Sequence, residues 1–227
     1  MWKDKIRRVL DDSEFVRRQR QKRQAAELAS WHSGGRQLPP PHIFKAMRIR
    51  EVSRRYQCRI LIETGTCLGE MILATIGDFE QIHSIELSPL LAARAQDRLT
   101  RHRHVTIHQG DSGELLPKVL DVVEERALIW LDAHYSGHIT AKAELDSPIS
   151  RELTAIAKHL GHCVLIDDAH MFVGSGGYPT IEETRELALH CFPTYTFSMV
   201  HDIIELLPAE GSLARTDLSS VWAATAE

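Results

Sequence analysis

From residue 58 onward the chain alternates short apolar runs with longer stretches in which apolar side chains recur at helical spacing. The runs predict strands over 59–63, 81–86, 104–109 and 126–132, and the stretches between them predict helices over 69–76, 88–101 and 112–123. Such alternation requires right-handed crossovers and a parallel sheet. Ser147 and Pro148 cap a further helix in which Leu153, Ile156, Ala157 and Leu160 share one face before Gly161 ends it. Cys163-Val164-Leu165-Ile166 is then an entirely apolar strand, 173–178 a glycine-rich loop and 180–191 a helix. Apolar runs at 195–199 and 203–207, parted by His201 and Asp202, predict a closing hairpin at the sheet edge. The expected fold class is α/β: a doubly wound, mostly parallel sheet with a C-terminal antiparallel hairpin.

The start of the chain follows another pattern. Residues 2–30 hold neither Gly nor Pro and are rich in Arg, Gln, Ala and Glu, which reads as a polar helix with a break near Asp11-Asp12-Ser13. Residues 31–41, with their glycines and prolines, interrupt it. A second helix over 42–56 carries Ile43, Met47, Ile49 and Val52 and leads into the first strand, a position suited to a cap over the site. The domain reading is a basic helical arm and cap, 1–57, followed by a ligand-binding domain, 58–227.

Composition narrows the class. At 227 residues and 43% hydrophobic content, the chain can bury one full core and still carry an appendage. No apolar run reaches the roughly 20 residues of a membrane-spanning helix, and the charged start lacks the apolar stretch of a secretion signal, so a cytoplasmic protein without membrane contact is expected. Cys58, Cys67, Cys163 and Cys191 lack both zinc-type spacing and a disulfide framework, and are read as free, mostly buried thiols. The net charge of −4 conceals an asymmetry: residues 1–55 carry 15 Lys/Arg against 6 Asp/Glu, or +9, leaving 12 against 25, or −13, for the remainder. A basic arm on an acidic body can grip nucleic acid, an acidic partner or the body of a second copy in a homodimer. Interspersed acids at Asp11, Asp12, Glu14 and Glu27 favour a solvated helix over a nucleic-acid grip.

The chemistry gathers at the predicted strand ends, which in an open parallel sheet deliver their polar residues to one crevice where the strand order reverses. Gly65 and Gly69 flank the turn Gly65-Thr66-Cys67-Leu68-Gly69, where a bare backbone approaches a ligand and the following helix start favours negative charge. The spacing departs from the dinucleotide fingerprint G-x-G-x-x-G. Glu63, just before this turn, would repel a pyrophosphate and welcome a cationic amino or sulfonium group. Glu86 ends the second strand about twenty residues after the first glycine, where a carboxylate meets ribose hydroxyls in nucleoside-binding sheets. Asp111 and Ser112 follow the third strand, within reach of an adenine edge. Together these residues describe a site for a cationic adenosine ligand.

The run Ile62-Glu63-Thr64-Gly65-Thr66-Cys67-Leu68-Gly69, with Ser84-Ile85-Glu86 and Gly110-Asp111-Ser112, resembles the successive motifs of class I S-adenosylmethionine-dependent methyltransferases. Glu-x-Gly-x-x-x-Gly is similar to the turn of catechol O-methyltransferases, and Glu-Thr-Gly resembles macrolide sugar O-methyltransferases of the macrocin type. The likeness spans about residues 58–207. It implies a Rossmann-like seven-stranded sheet and S-adenosylmethionine (SAM) bound across the strand ends. By position, Glu63, Gly65, Thr66 and Gly69 would lie near the methionine moiety, Glu86 at the ribose and Asp111-Ser112 at the adenine.

Asp132 ends the fourth strand, and Asp167 and Asp168 end the next. Three carboxylates on adjacent strands would drive some to protonate unless a cation holds them, and oxygen ligands suit Mg2+, with Ca2+ or Mn2+ behind it. Asp132, Asp167 and Asp168 also resemble, position by position, the metal ligands of metal-dependent O-methyltransferases. Asp132 contacting the donor and Asp167 capping a helix are the metal-free alternatives. Catechol-type enzymes place a lysine three residues after the first metal carboxylate; Tyr135 stands there in this chain. His134 and His170 flank the acids instead, His134 being the preferred general base and His170 the second; as metal ligands either would shift preference toward Fe or Mn. His138, Lys142 and Tyr178 are candidates for lining the acceptor pocket.

The expected reaction is in-line transfer of the sulfonium methyl to a hydroxyl of a small, sugar-like or polyhydroxylated acceptor, with the metal chelating that acceptor. The competing readings are a nucleic-acid methyltransferase or binding protein using the basic arm, a nucleotide-dependent oxidoreductase, and a non-catalytic cofactor-binding relative. The Asp-rich acceptor side opposes the first, and the glycine spacing opposes the second.

Overall fold

The computed structural model describes residues 14–132 and 148–209. Its elements are α1 (Glu14–Ser33), α2 (His42–Tyr56), β1 (Ile60–Thr64), α3 (Glu70–Thr75), β2 (Gln81–Glu86), α4 (Pro89–Leu99), β3 (Val105–Gln109), α5 (Ser112–Leu120), β4 (Ala127–Leu131), α6 (Pro148–Ile156), β5 (Cys163–Ile166), a 3-10 turn (Ala169–Met171), α7 (Ile181–Cys191), β6 (Tyr195–Val200) and β7 (Ile203–Pro208). The strands form one sheet in the order β3-β2-β1-β4-β5-β7-β6. β1 pairs in parallel with both β2 and β4, whereas β7 runs antiparallel between β5 and β6. The expected mostly parallel, doubly wound sheet with its closing hairpin is what forms, and its order reverses between β1 and β4.

Both sheet faces are covered, which is why β1, β4 and β5 are buried at every position instead of alternating. Ile60, Ile62, Ile129 and Ile166 meet α5, α6 and α7 through Leu116, Leu153 and Ala188. On the opposite face, Leu61, Leu128, Trp130 and Leu165 meet Ala46, Ile49 and Val52 of α2 and Ile72 of α3. Burial of side chains such as Ile49 and Val52 contributes about 1.5–3 kcal/mol each and fixes α2 to the sheet. The helix expected as a cap is thus also a layer of the domain. Its last turn lies at the amino ends of the strands, where the Tyr56 carbonyl takes a hydrogen bond from Arg126, and its first turn reaches the carboxyl ends.

Local signals start these helices. Ser88 accepts from the Leu91 N–H with Pro89 at the first helical position, and Thr180 and Glu183 form a reciprocal capping box. Two expectations need correction. α1 runs on through Trp31 to Ser33, because the Trp31 ring packs against Phe44 and His201 and its Nε1 donates to the Gln37 carbonyl. Leu160 is exposed, because α6 stops at Ile156 and the chain turns before Gly161, whose φ is +105°. The break foreseen near Asp11-Asp12-Ser13 lies outside the described residues. Among the cysteines, Cys58 and Cys163 are buried, Cys191 is half-buried and Cys67 is exposed; all are free thiols. No helix among the described residues is long and apolar enough to cross a membrane.

Candidate active site

The sheet ladder continues one residue past the strand ends. Gly65 N–H donates to the Ile85 carbonyl at 2.9 Å, Gly110 to Glu86 at 2.9 Å, Asp132 to Thr64 at 3.1 Å and Asp167 to Leu131 at 2.9 Å. These bonds place every acid expected from the sequence on one rim, around the point where the strand order reverses.

On the β1–β3 side, Gly65 and Gly69 hold φ of +88° and +71°, and a Cβ on Gly69 would come within 3.0 Å of Leu99. The turn between them is tied down by Glu86, which accepts from Cys67 N–H at 2.7 Å and Ser88 N–H at 2.9 Å. Thr66 is buried, its hydroxyl sharing a hydrogen bond with that of Ser84. Ser84 in turn donates to Glu63, which is only 1% exposed. Burial pushes the Glu63 carboxyl up to about 8, the Asp132 and Glu86 charges adding to it and the Ser84 hydroxyl opposing it. Glu63 is therefore neutral at pH 7 until a positive charge arrives beside it.

Asp111 caps α5 through Gly113 N–H at 2.7 Å and faces Arg151 at 3.3 Å. A Cβ on Gly113 would meet the Arg151 guanidinium at 2.7 Å, so glycine there lets the ion pair form. Beside Ser112 lies Glu152, buried and pushed up to about 7 by that burial, the neighbouring Ser112 and Thr64 hydroxyls pulling the other way. Sequence reasoning passed over both Arg151 and Glu152. Glu152 stands three residues after Ile149 and four before Ile156, on the inward face of α6, and that spacing was the available signal.

On the β4–β5 side, carboxylate oxygens of Asp132, Asp167 and Asp168 lie within 4.8 Å of one another. A cation does stand among them, and it comes from the chain: the Lys45 Nζ donates to Asp167 Oδ2 at 2.7 Å and to Asp168 Oδ1 at 2.9 Å. Burial and the Asp132 charge still push Asp167 up to about 7, against the Lys45 ammonium. Asp168 adopts a left-handed φ of +50° and its N–H donates to Asp167 Oδ1, folding the pair back onto the rim. His170 follows on the 3-10 turn. Asp202, fully buried, accepts its backbone N–H at 2.7 Å and lies 2.7 Å from its Nδ1. Asp168, His170 and Asp202 form a second group of metal-capable atoms that shares Asp168 with the first.

Lys45 and Asp202 were both missed. Lys45 sits on a helix read only for its apolar positions, and Asp202 read as half of a hairpin turn. His134, the preferred base, lies outside the described residues, as do Tyr135, His138 and Lys142. Tyr178 packs on Phe172 at 5.3 Å as part of the core cluster beneath α7.

Solved structures share this architecture. The O-methyltransferase TomG of Streptomyces achromogenes, in complex with SAM, aligns over 82% of this chain and 88% of its own at 17% identity, with a TM-score of 0.53. The O-methyltransferase of Bacillus cereus in complex with SAH aligns over 81% and 99% at 12% identity and a TM-score of 0.54. This chain has the class I methyltransferase fold. DesVI of Streptomyces venezuelae, at 12% identity over 82% of this chain and 98% of its own, aligns with a TM-score of 0.55. No family model and no curated protein matches the sequence.

Within this fold, four cations of α2 pair with acids of the body. Arg48 pairs with buried Glu205, Arg50 and Arg54 with Asp78, and Lys45 with the rim. These cations on α2 are engaged by acids of the same chain and fix the helix to the sheet.

Proposed function

We propose that this protein transfers the methyl group of S-adenosylmethionine to a hydroxyl oxygen of a small, polyhydroxylated or sugar-like acceptor. The observation that carries the reading is a histidine oriented by a buried aspartate, His170 on Asp202, on the same rim as the glycine turn and its two buried glutamates. On the donor side, the Gly65-Thr66 turn and Gly69 would face the methionine moiety, with Glu63 ionising against the sulfonium. Glu86 would take the ribose hydroxyls, since each of its oxygens keeps a further lone pair beyond the backbone N–H it accepts. Asp111 and Ser112 would lie at the adenine, and Asp132 between donor and acceptor.

On the acceptor side, Asp202 holds Nδ1 of His170 as a donor, leaving Nε2 to accept the hydroxyl proton as the oxygen attacks the methyl in line and the sulfur departs as S-adenosylhomocysteine. His134 remains the alternative base. Asp132, Asp167 and Asp168 are an all-oxygen donor set in which the Lys45 ammonium stands in for a metal, so these residues would hold Mg2+, with Mn2+, Ca2+ or Fe as alternatives. Bound there, the ion supplies Lewis acidity that lowers the acceptor pKa.

The test is calorimetric uptake of SAM compared with NAD, followed by methyl transfer to a panel of polyhydroxylated acceptors scored by mass spectrometry. Asp202→Asn is expected to slow transfer on the order of 10²-fold with SAM affinity unchanged. Absence of SAM uptake sinks the proposal, and uptake without transfer to any acceptor favours the non-catalytic alternative.

A further inference from the structure

We infer that Lys45 is a displaceable placeholder: the rim holds either the Lys45 ammonium or a divalent ion at Asp167 and Asp168, and metal enters by exchange with this lysine. The inference rests on the proposed metal role of the acid rim and adds the route by which that rim is filled.

Geometry makes the two occupants exclusive. The ammonium hydrogen-bonds one oxygen from each of the two carboxylates, at 2.7 and 2.9 Å, and Asp132 closes the group within 4.8 Å. A divalent ion ligated by the same carboxylates at about 2.1–2.4 Å would face the ammonium at contact range, two cations on one pair of anions. The lysine side chain is 12% exposed and its ammonium covers the two carboxylates it bonds.

The two parts of the lysine are anchored unequally, which lets one move without the other. Its backbone is held by Ala46 and Ile49, both fully buried against the sheet. The ammonium rides on a flexible four-carbon stem and carries three rotatable donors, so it can leave by side-chain rotation alone. The neighbouring arginine shows the contrast: Arg48, one turn on, grips buried Glu205 with a two-point guanidinium fork suited to a permanent pair. The sequence thus places a fork where the acid is sealed in and a single-point cation where three carboxylates converge.

In the absence of metal the lysine keeps these carboxylates together, and in its presence the lysine is expelled toward solvent. Apparent metal affinity is then lower than the donor set alone would give, because each ion must displace an ion pair.

The experiment uses the full chain and Mn2+ as the probe, its uptake followed by electron paramagnetic resonance. Lys45→Met is expected to tighten Mn2+ binding by at least tenfold, and Asp168→Asn to abolish it in both backgrounds. In the unmodified protein, labelling of Lys45 by an amine-specific reagent, read by mass spectrometry against the other lysines, is expected to rise several-fold with saturating Mn2+; this arm decides if Lys45→Met fails to fold. Equal or weaker Mn2+ affinity in Lys45→Met, with labelling unchanged by Mn2+, overturns the exchange while leaving a metal site standing. Uptake that survives Asp168→Asn places the ion elsewhere and overturns it as well. No Mn2+ uptake by any variant overturns the metal reading itself, and the exchange with it.

Discussion

On the β1, β2 and β3 side of the crevice, the acids are met mainly by groups near them in the chain or on the adjoining strand; Asp111, which also faces Arg151 40 positions on, is the exception. Glu86 takes the N–H of Ser88 two residues on and that of Cys67 across the strand pair, Asp111 takes that of Gly113, and Glu63 takes the Ser84 hydroxyl. On the β4, β5 and β7 side, the partners are charged or ring side chains from far away. Lys45 lies 122 positions from Asp167, Arg48 lies 157 from Glu205, and His170 lies 32 from Asp202. The difference separates a pocket moulded by local turns from one assembled by the docking of α2 and the hairpin. Local N–H and O–H donors orient a carboxylate without bringing a counter-charge, whereas a distant lysine or arginine brings one.

The sharpest way to break the comparison is Asp168→Ala. Methyl transfer is expected to fall on the order of 10³-fold, while SAM affinity by calorimetry stays within about twofold. Equal loss of both would dissolve the division between the two sides.

Next in size is Arg48→Met, which strands the Glu205 carboxylate at 1% exposure. Urea unfolding should show a loss of about 3–5 kcal/mol, most of it recovered when Glu205→Leu is added. A loss below about 1 kcal/mol would mean that Glu205 is hydrated or neutral and that the long-range pair sets nothing.

Glu86→Ala probes the moulded side. It frees Cys67 and Ser88 N–H groups that sit near solvent and can rehydrate, so fold stability should change little. SAM affinity should weaken about 10- to 100-fold with or without added metal, as expected for hydrogen bonds to a charged group. Unchanged affinity would remove Glu86 from the ribose.

The smallest effect concerns pH. The Glu63 carboxyl is held at about 8 by burial, by the Asp132 and Glu86 charges and against the Ser84 hydroxyl, so the free protein carries it protonated below that pH. A sulfonium favours the ionised form, so binding must expel the proton; SAM affinity rises with pH by at most about tenfold per unit, then levels off near 8. Neutral SAH should show no such slope, and Glu63→Gln should flatten the slope for SAM. A slope identical for both ligands would assign the titration to another group.

Much of the donor side could be read before folding, because strand, glycine turn and N-cap signals act over a few residues. Glu63, Gly65, Glu86 and Asp111 each follow an apolar run whose end is marked in the sequence. Asp132, Asp167 and Asp168 were legible in the same way, as was their crowding. The identity of the cation among them was not, since a lysine on α2 comes next to Asp167 only when Ala46, Ile49 and Val52 pack on Leu128 and Leu165. Leu160 failed for a related reason, its helical spacing counting only while α6 remains a helix.

Hydrophobic period and turn chemistry are properties of neighbouring residues, so the chain by itself determined the strands, their carboxyl-end acids and the single rim those acids share. Electrostatic interaction depends on distance in space and on exclusion of water, and neither is written along the chain. The tertiary structure alone therefore decided that Lys45 pairs with Asp167 and Asp168, that buried Asp202 orients His170, and that burial raises the Glu63 carboxyl.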